Sequence, residues 1–195
     1  LRRRLPPRSP RFPPPTPCRS GGSSPELHGG LRGVPGTFAM TMQAATWAHE
    51  VGLPIQVNTL VTDTTLDDLP AIHEVVGRMG ILRWSLFFLI SVGRGTVLQE
   101  ISPAQSEKLF AWLYDLSKAA PFQIKTTEAT HYRRVATRRM EQDGMTEEEI
   151  LRTSVGRGFG VRDGNGIMFV AHDGSVYPSG FLPLAVGNVR TAHLV

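Results

Sequence analysis

The chain has 195 residues, of which 41% are apolar, with 21 Lys and Arg against 17 Asp and Glu, six His and a single Cys, for a formal net charge of +4. One cysteine excludes an internal disulfide framework, a four-cysteine zinc site and an iron–sulfur cluster anchored by three thiolates of this chain. The longest apolar runs, Leu86 to Ile90 and Ile167 to Ala171, fall far short of the ~20 residues a membrane-spanning helix needs, so a soluble, cytoplasmic protein with no membrane partner is expected.

The basic excess is local. Residues 1 to 25 hold six Arg, no acid and eight of the 15 Pro, which leaves 15 basic residues against 17 acids in the remaining 170. A nucleic-acid-binding surface needs basic residues concentrated on a folded face, and a body with net charge −2 gives no such signal. Seven Pro among the first 17 residues forbid the amphipathic helix of a transit peptide. Residues 1–27 therefore read as a disordered Pro/Arg-rich tail, and the initial Leu reads as the start of a fragment.

In chain order, the spacing of apolar residues predicts a first helix from Thr37 to Val51, stopped by Gly52, and a β-branched strand from Ile55 to Val61. A second helix follows, with its stripe at Leu66, Leu69, Ile72, Val75, Val76 and Met79. Leu82 to Ile90 is read as a strand buried on both faces. Ser102 as cap and Pro103 at the first position open a third helix, which presents Leu109, Phe110, Leu113 and Leu116 inward. A strand from Phe122 to Thr126, a helix from Thr130 to Gln142 and a short helix signalled by Thr146 and Glu149 come next. Ile167 to Ala171, the His172-Asp173-Gly174 turn and Ser175 to Tyr177 read as a closing β-hairpin.

Strands alternating with helices indicate an α/β fold with parallel strands and crossover helices, either doubly wound or part of a (β/α) barrel. With about three to four strands visible, a barrel would be incomplete, since a closed one needs about eight.

Ligands of such sheets are met at the C-terminal ends of the strands. Those ends carry Asn58, Thr59 and Thr62 after the first strand and Ser91, Gly93, Arg94 and Gly95 after the second. After the third come Thr126, Thr127, Glu128, His131, Tyr132, Arg133 and Arg134. Asn58 must be hydrogen-bonded if buried, by protein or by ligand. The Gly93-Arg94-Gly95 stretch brings backbone N–H groups and a guanidinium to an anion, or is simply a turn. His131, Arg134 and Arg138, spaced i, i+3 and i+7, share one helix face, which is either solvated or grips substrate carboxylates. Gly156-Arg157-Gly158-Phe159-Gly160 does not fit a nucleotide-binding G-x-G-x-x-G, and the histidines show no metal-ligand spacing. No nucleophile motif of the G-x-S-x-G kind is present, so the catalytic residues are unassigned.

Arg32-Gly33-Val34-Pro35-Gly36-Thr37-Phe38, Gly52-Leu53-Pro54-Ile55-Gln56-Val57-Asn58-Thr59, Ser91-Val92-Gly93-Arg94-Gly95, Lys125 to Arg134, Asp173 to Gly180, and Gly187-Asn188-Val189-Arg190 follow one another along the chain. In that order they resemble radical S-adenosylmethionine enzymes with a SPASM-type C-terminal extension, in the branch of heme and heme-d1 biosynthesis. The resemblance runs from His28 to the C-terminus. It implies a (β/α)6 partial barrel over residues 28–165 and the start of a SPASM-like extension over 166–195. It also implies a [4Fe-4S] cluster that cleaves S-adenosylmethionine to a radical which abstracts substrate hydrogen, the cofactor carrying the difficult chemistry.

On this resemblance Asn58, Thr59, Ser91, Gly93, Arg94 and Gly95 would face S-adenosylmethionine, and Glu128, His131, Arg133 and Arg134 are placed for substrate, a small molecule such as a tetrapyrrole or a peptide. The family's CxxxCxxC is absent, and Ser179 stands where many relatives have Cys. No metal ligand is therefore expected in this chain, and no radical chemistry from it alone. The alternatives are a peptide-modifying maturase of the same family and a degenerate, non-catalytic half-barrel that binds a ligand.

Overall fold

A computed structural model describes residues 15–91, 93–156, 163–165, 167–180 and 182–193. Its elements fall into two compact units that divide between Thr146 and Glu147.

The first unit is a parallel sheet of four strands in sequential order, β1 (Thr16–Arg19), β2 (Ile55–Val61), β3 (Arg83–Phe88) and β4 (Gln123–Thr127). The helices are α1 (Pro25–Arg32), α2 (Thr37–Glu50), α3 (Leu69–Arg78), α4 (Pro103–Ala119) and α5 (His131–Gln142). The expected crossover pattern is thus present, as an open sheet rather than a closed barrel.

β1 corrects the expected tail. Thr16–Arg19 is ordered strand and Ser20 is buried, so residues 16–27 belong to the folded unit. Proline is tolerated in a strand where its missing N–H faces away from the partner. Thr16 N–H donates to Pro54 O and Ser20 N–H to Asn58 O, both at 2.9 Å, and alternation along the strand then turns the nitrogen of Pro17 away from β2.

Sequential order with right-handed crossovers sends the connecting helices to one face of the sheet. That face carries Val57, Thr59 and Val61 of β2 with Trp84 and Leu86 of β3, all buried. Trp84 meets His73 of α3 and Trp112 of α4 at ring-centroid distances of 5.9 and 6.4 Å, and Phe88 meets Phe110 of α4 at 5.2 Å. The core lies here, completed by Leu69, Ile72 and Val76 of α3 and Leu113 of α4. α4 starts as its sequence predicts: Ser102 Oγ accepts from Gln105 N–H, and the Gln105 side chain accepts from Ser102 N–H, a reciprocal capping box.

The second unit contains α6 (Glu147–Arg152) and an antiparallel sheet of β5 (Phe169–Val170), β6 (Ser175–Tyr177) and β7 (Gly187–Asn188). The expected hairpin is β5–β6. At its turn Ser175 N–H donates to Asp173 Oδ1 at 2.9 Å, and this bond holds the Asp173 carboxyl below the usual carboxylate range. Gly174 sits at φ 89°, where a side chain is strained. The expected boundary at 165/166 thus lies well past the division the contacts make. No helix among the described residues is long and apolar enough to cross a membrane.

Candidate functional site at the C-terminal edge and open face of the sheet

Three loops gather at the C-terminal edge of the first unit. After β1, Ser20-Gly21-Gly22-Ser23 makes a tight turn: Ser20 Oγ donates to Gly22 O at 3.2 Å and Gly21 N–H donates to Nδ1 of buried His28 at 3.3 Å. A Cβ on Gly22 would stand 2.5 Å from Leu27 Cβ and 2.6 Å from His28 N, so only glycine fits. The turn is clamped by Asp68, whose carboxylate accepts from Ser23 N–H at 2.7 Å and from Ser23 Oγ at 2.5 Å.

After β2, the hydroxyls of Thr62, Thr64 and Thr65 close on one another and on Leu60 O. Asp63 N–H then donates to Gln99 O at 3.0 Å, tying this loop to the one after β3. A cleft of about 360 Å³ lies between the three, lined by Gly21, Leu31, Thr65, Asp68 and Leu98 among others. The β1 turn has no local sequence signal, because Pro15 and Pro17 hide its strand.

The residues expected to face S-adenosylmethionine do not share one surface. Asn58 is half-buried on the face away from the helices, where its Oδ1 accepts from Gln56 Nε2 at 2.7 Å. Thr59, one residue on, is fully buried on the helix side and accepts from Trp84 Nε1 at 2.9 Å. Successive residues of a strand alternate in face, so Thr59 cannot meet the ligand that Asn58 meets. Ser91 is exposed, and its N–H and Oγ both bond Glu100 Oε1, at 3.2 and 2.7 Å. Gly93 to Val97 form a 3-10 turn in which a Cβ on Gly95 would lie 2.9 Å from Ile90 O. The Arg94 side chain lies outside the described residues, as does most of Gly156-Arg157-Gly158-Phe159-Gly160.

Of the residues placed for substrate, Glu128 occupies the C-terminal end of β4 at φ 60°, a left-handed conformation uncommon outside glycine. His131 opens α5 and is exposed, like Arg133, Arg134 and Arg138. The buried side of α5 is Tyr132, Val135, Ala136 and Met140. Arg134 is paired with Glu107 of α4, and Arg139 with Asp115 of α4 at 3.5 Å. Part of this basic face is therefore engaged in joining two helices.

No family model matches the chain. It is 31% identical over 169 residues to the AdoMet-dependent heme synthase of Methanosarcina barkeri and 35% identical over 167 residues to that of Nitratidesulfovibrio vulgaris. A third relative, from Oleidesulfovibrio alaskensis, is 34% identical over 173 residues. These matches cover 84% to 87% of this chain. The chain is similar, along most of its length, to AdoMet-dependent heme synthases.

It spans about half the length of those curated relatives, 44% to 48%. Among solved structures, Streptococcus suis SuiB bound to S-adenosylmethionine matches with a TM-score of 0.61 at 15% identity, over 91% of this chain and 40% of that one. SuiB bound to its precursor peptide SuiA matches equally, with a TM-score of 0.61. At that identity the likeness is one of fold alone.

The [4Fe-4S] cluster that the resemblance implies does not fit the residues present. Cys18 is the chain's one cysteine. It pairs with Val57 in register, on the helix side, and burial pushes its thiol up, against the thiolate form a cluster requires. Among the described residues no group of three or more His, Cys, Asp or Glu is placed to hold a metal ion.

Proposed function

We propose that this chain is the ligand-facing part of a radical S-adenosylmethionine oxidoreductase whose substrate is a tetrapyrrole of heme or heme-d1 biosynthesis. The observation that carries the reading is the 31% to 35% identity to AdoMet-dependent heme synthases along most of the chain. The task of these residues is to bind and orient. The C-terminal edge offers S-adenosylmethionine the cleft beside Gly21 and Thr65, with the Ser91–Gly95 loop next to it, and Asn58 Nδ2 has no protein partner among the described residues. Glu128 and His131 stand at the same end of β4 for substrate. This chain does not supply the three thiolates of a cluster, and the protein works in the cytoplasm.

The test is titration of the chain with S-adenosylmethionine and, separately, with a propionate-bearing tetrapyrrole. Saturable binding of both is expected, and failure of both to bind overturns the proposal. Replacing Arg133 and Arg134 by Ala decides their part: unchanged tetrapyrrole affinity removes them from the substrate site.

A second reading, a binding module with no radical chemistry of its own, is favoured by the single cysteine. Sequencing the DNA that flanks this coding segment separates the two. A CxxxCxxC encoded upstream supports the radical enzyme and excludes the second reading, and its absence supports the second reading.

A further inference from the structure

A histidine holds the turn that closes β1. His28 is 0% exposed, and its Nδ1 accepts from Gly21 N–H at 3.3 Å. An imidazole nitrogen accepts only when it carries no proton, so the proton of the neutral ring sits on Nε2, which is buried and has no hydrogen-bond partner among the described residues. A buried N–H left unpaired calls for a reason, and the hold on Gly21 supplies one.

The turn has two side-chain anchors, Asp68 on Ser23 and His28 on Gly21. Between them the glycines lie hard against α1: a Cβ on Gly21 would stand 2.9 Å from Leu31 Cδ2, and one on Gly22 2.6 Å from His28 N. Gly21, Leu31 and Asp68 are all walls of the cleft at this edge, so a shift of the turn reshapes the cleft. Burial, and then the charge of Arg32 four residues along α1, disfavour a proton on His28. The other charged side chains on the elements around it are Glu26 of α1, Arg19 at the end of β1 and Asp68 in the 3-10 turn Leu66–Asp68. From α2 the ring meets Phe38, at a centroid distance of 5.7 Å. A proton arriving at Nδ1 sets two N–H groups against each other and ends the bond to Gly21.

We propose that His28 is a positioning residue whose neutral form latches the Gly21–Gly22 turn, so that its protonation releases the turn and weakens ligand binding in the cleft. In taking S-adenosylmethionine as that ligand the proposal rests on the function proposed above; the latch itself stands on the geometry of the turn. A ligand that needs the latched turn binds the neutral form more tightly. By reciprocity it must lower the pH at which His28 takes up its proton.

Two titrations of the full chain test this. Nuclear magnetic resonance followed against pH, without ligand, reads the Gly21 amide and the His28 ring, and one midpoint common to both is expected, below 6.5. Calorimetric titration with S-adenosylmethionine is expected to show affinity falling through that same midpoint, to about tenfold weaker when one hydrogen bond of the turn is lost, and saturating ligand should move the His28 midpoint lower. His28→Gln keeps an acceptor but cannot titrate. It is expected to bind as wild type does near neutral pH and to lose the fall; the ionisations of the ligand itself are common to both proteins. His28→Phe keeps a ring without an acceptor and is expected to bind about tenfold more weakly at every pH, with circular dichroism reporting whether it folds.

If S-adenosylmethionine binds with a pH profile that His28→Gln leaves unchanged, the latch is overturned and the S-adenosylmethionine reading survives. If the Gly21 amide titrates with His28 but S-adenosylmethionine binds at no pH, the latch stands and that reading falls. If the amide does not follow His28 and nothing binds, both fall.

Discussion

Trp84 Nε1 donates a 2.9 Å hydrogen bond to Thr59 Oγ1 inside the layer between the sheet and its helices, where both residues are fully buried. The pair joins β2 to β3 through side chains, and its worth lies mainly in what its loss would leave unpaired. Thr59→Val keeps shape but strands the indole N–H, a cost of about 1–3 kcal/mol. Urea denaturation is expected to show a loss of that size with the slope unchanged, and S-adenosylmethionine affinity is expected to stay as in wild type. A selective loss of affinity at unchanged stability would return Thr59 to the ligand site.

Two glycines near the β1 loop respond to alanine in opposite directions. At Gly22 the added methyl meets Leu27 and the His28 backbone at 2.5–2.6 Å, and overpacking of this kind costs about 1–3 kcal/mol. Gly30, inside α1, has open space where the Cβ would go, and replacing a helix-interior glycine by alanine contributes up to about 1 kcal/mol. Thermal unfolding is expected to fall for Gly22→Ala and rise for Gly30→Ala; a rise for both would mean the loop is looser than its contacts indicate.

Much of the fold can be read from local sequence. The β-branched run Ile55–Val61 forms a strand with those same ends, and Ser102-Pro103 starts α4 where caps predict. What local sequence hides is decided by neighbours. Pro17 argues against a strand until the bonds of Thr16 and Ser20 show its nitrogen turned away from β2. Asn58 and Thr59 look equivalent as polar residues near one strand end, although strand parity alone separates their faces. Glu107, which pairs with Arg134, lies 27 residues away on another helix. Arg19, Asn58, Ser85 and Lys125 stand in register across four strands, and only that register brings them together.

His28 makes acid stability a readout of the β1 loop. It is buried, its Nδ1 accepts from Gly21 N–H, and its Nε2 has no partner among the described residues. Desolvation, aided by the Arg32 charge, pushes its pKa below the usual 6.5. Because the unfolded chain takes up a proton first, the stability of the neutral form is fully present above about pH 6.5 and is lost as pH falls from there toward the depressed folded value. His28→Gln, which keeps an acceptor for Gly21 but cannot titrate, is expected to flatten the slope between pH 7 and pH 5. An equally steep slope in the variant would assign that pH dependence to other groups.

Tyr114 tests the joint between α4 and the end of α5. Its hydroxyl donates to Asp143 Oδ2 at 2.7 Å, and Lys118 pairs with the same carboxylate while lying 4.5 Å from the Tyr114 ring centroid. Burial first, and then the hydrogen bond and charge of Asp143, push Tyr114 up to about 12, while the hydrogen bond from Lys118 and then that from Tyr114 pull Asp143 down. The signs are opposite. The Tyr114 contribution is present below pH 10 and is lost as pH rises through the folded value near 12; the Asp143 contribution is present above about pH 3.8 and is lost as pH falls. Ultraviolet titration of tyrosinate is expected to show one tyrosine ionising last in the wild-type chain. In Asp143→Asn it should ionise at lower pH while remaining above 10, because desolvation persists and the carboxylate is gone. An unmoved titration in the variant would leave desolvation as the sole cause and remove Asp143 from the joint.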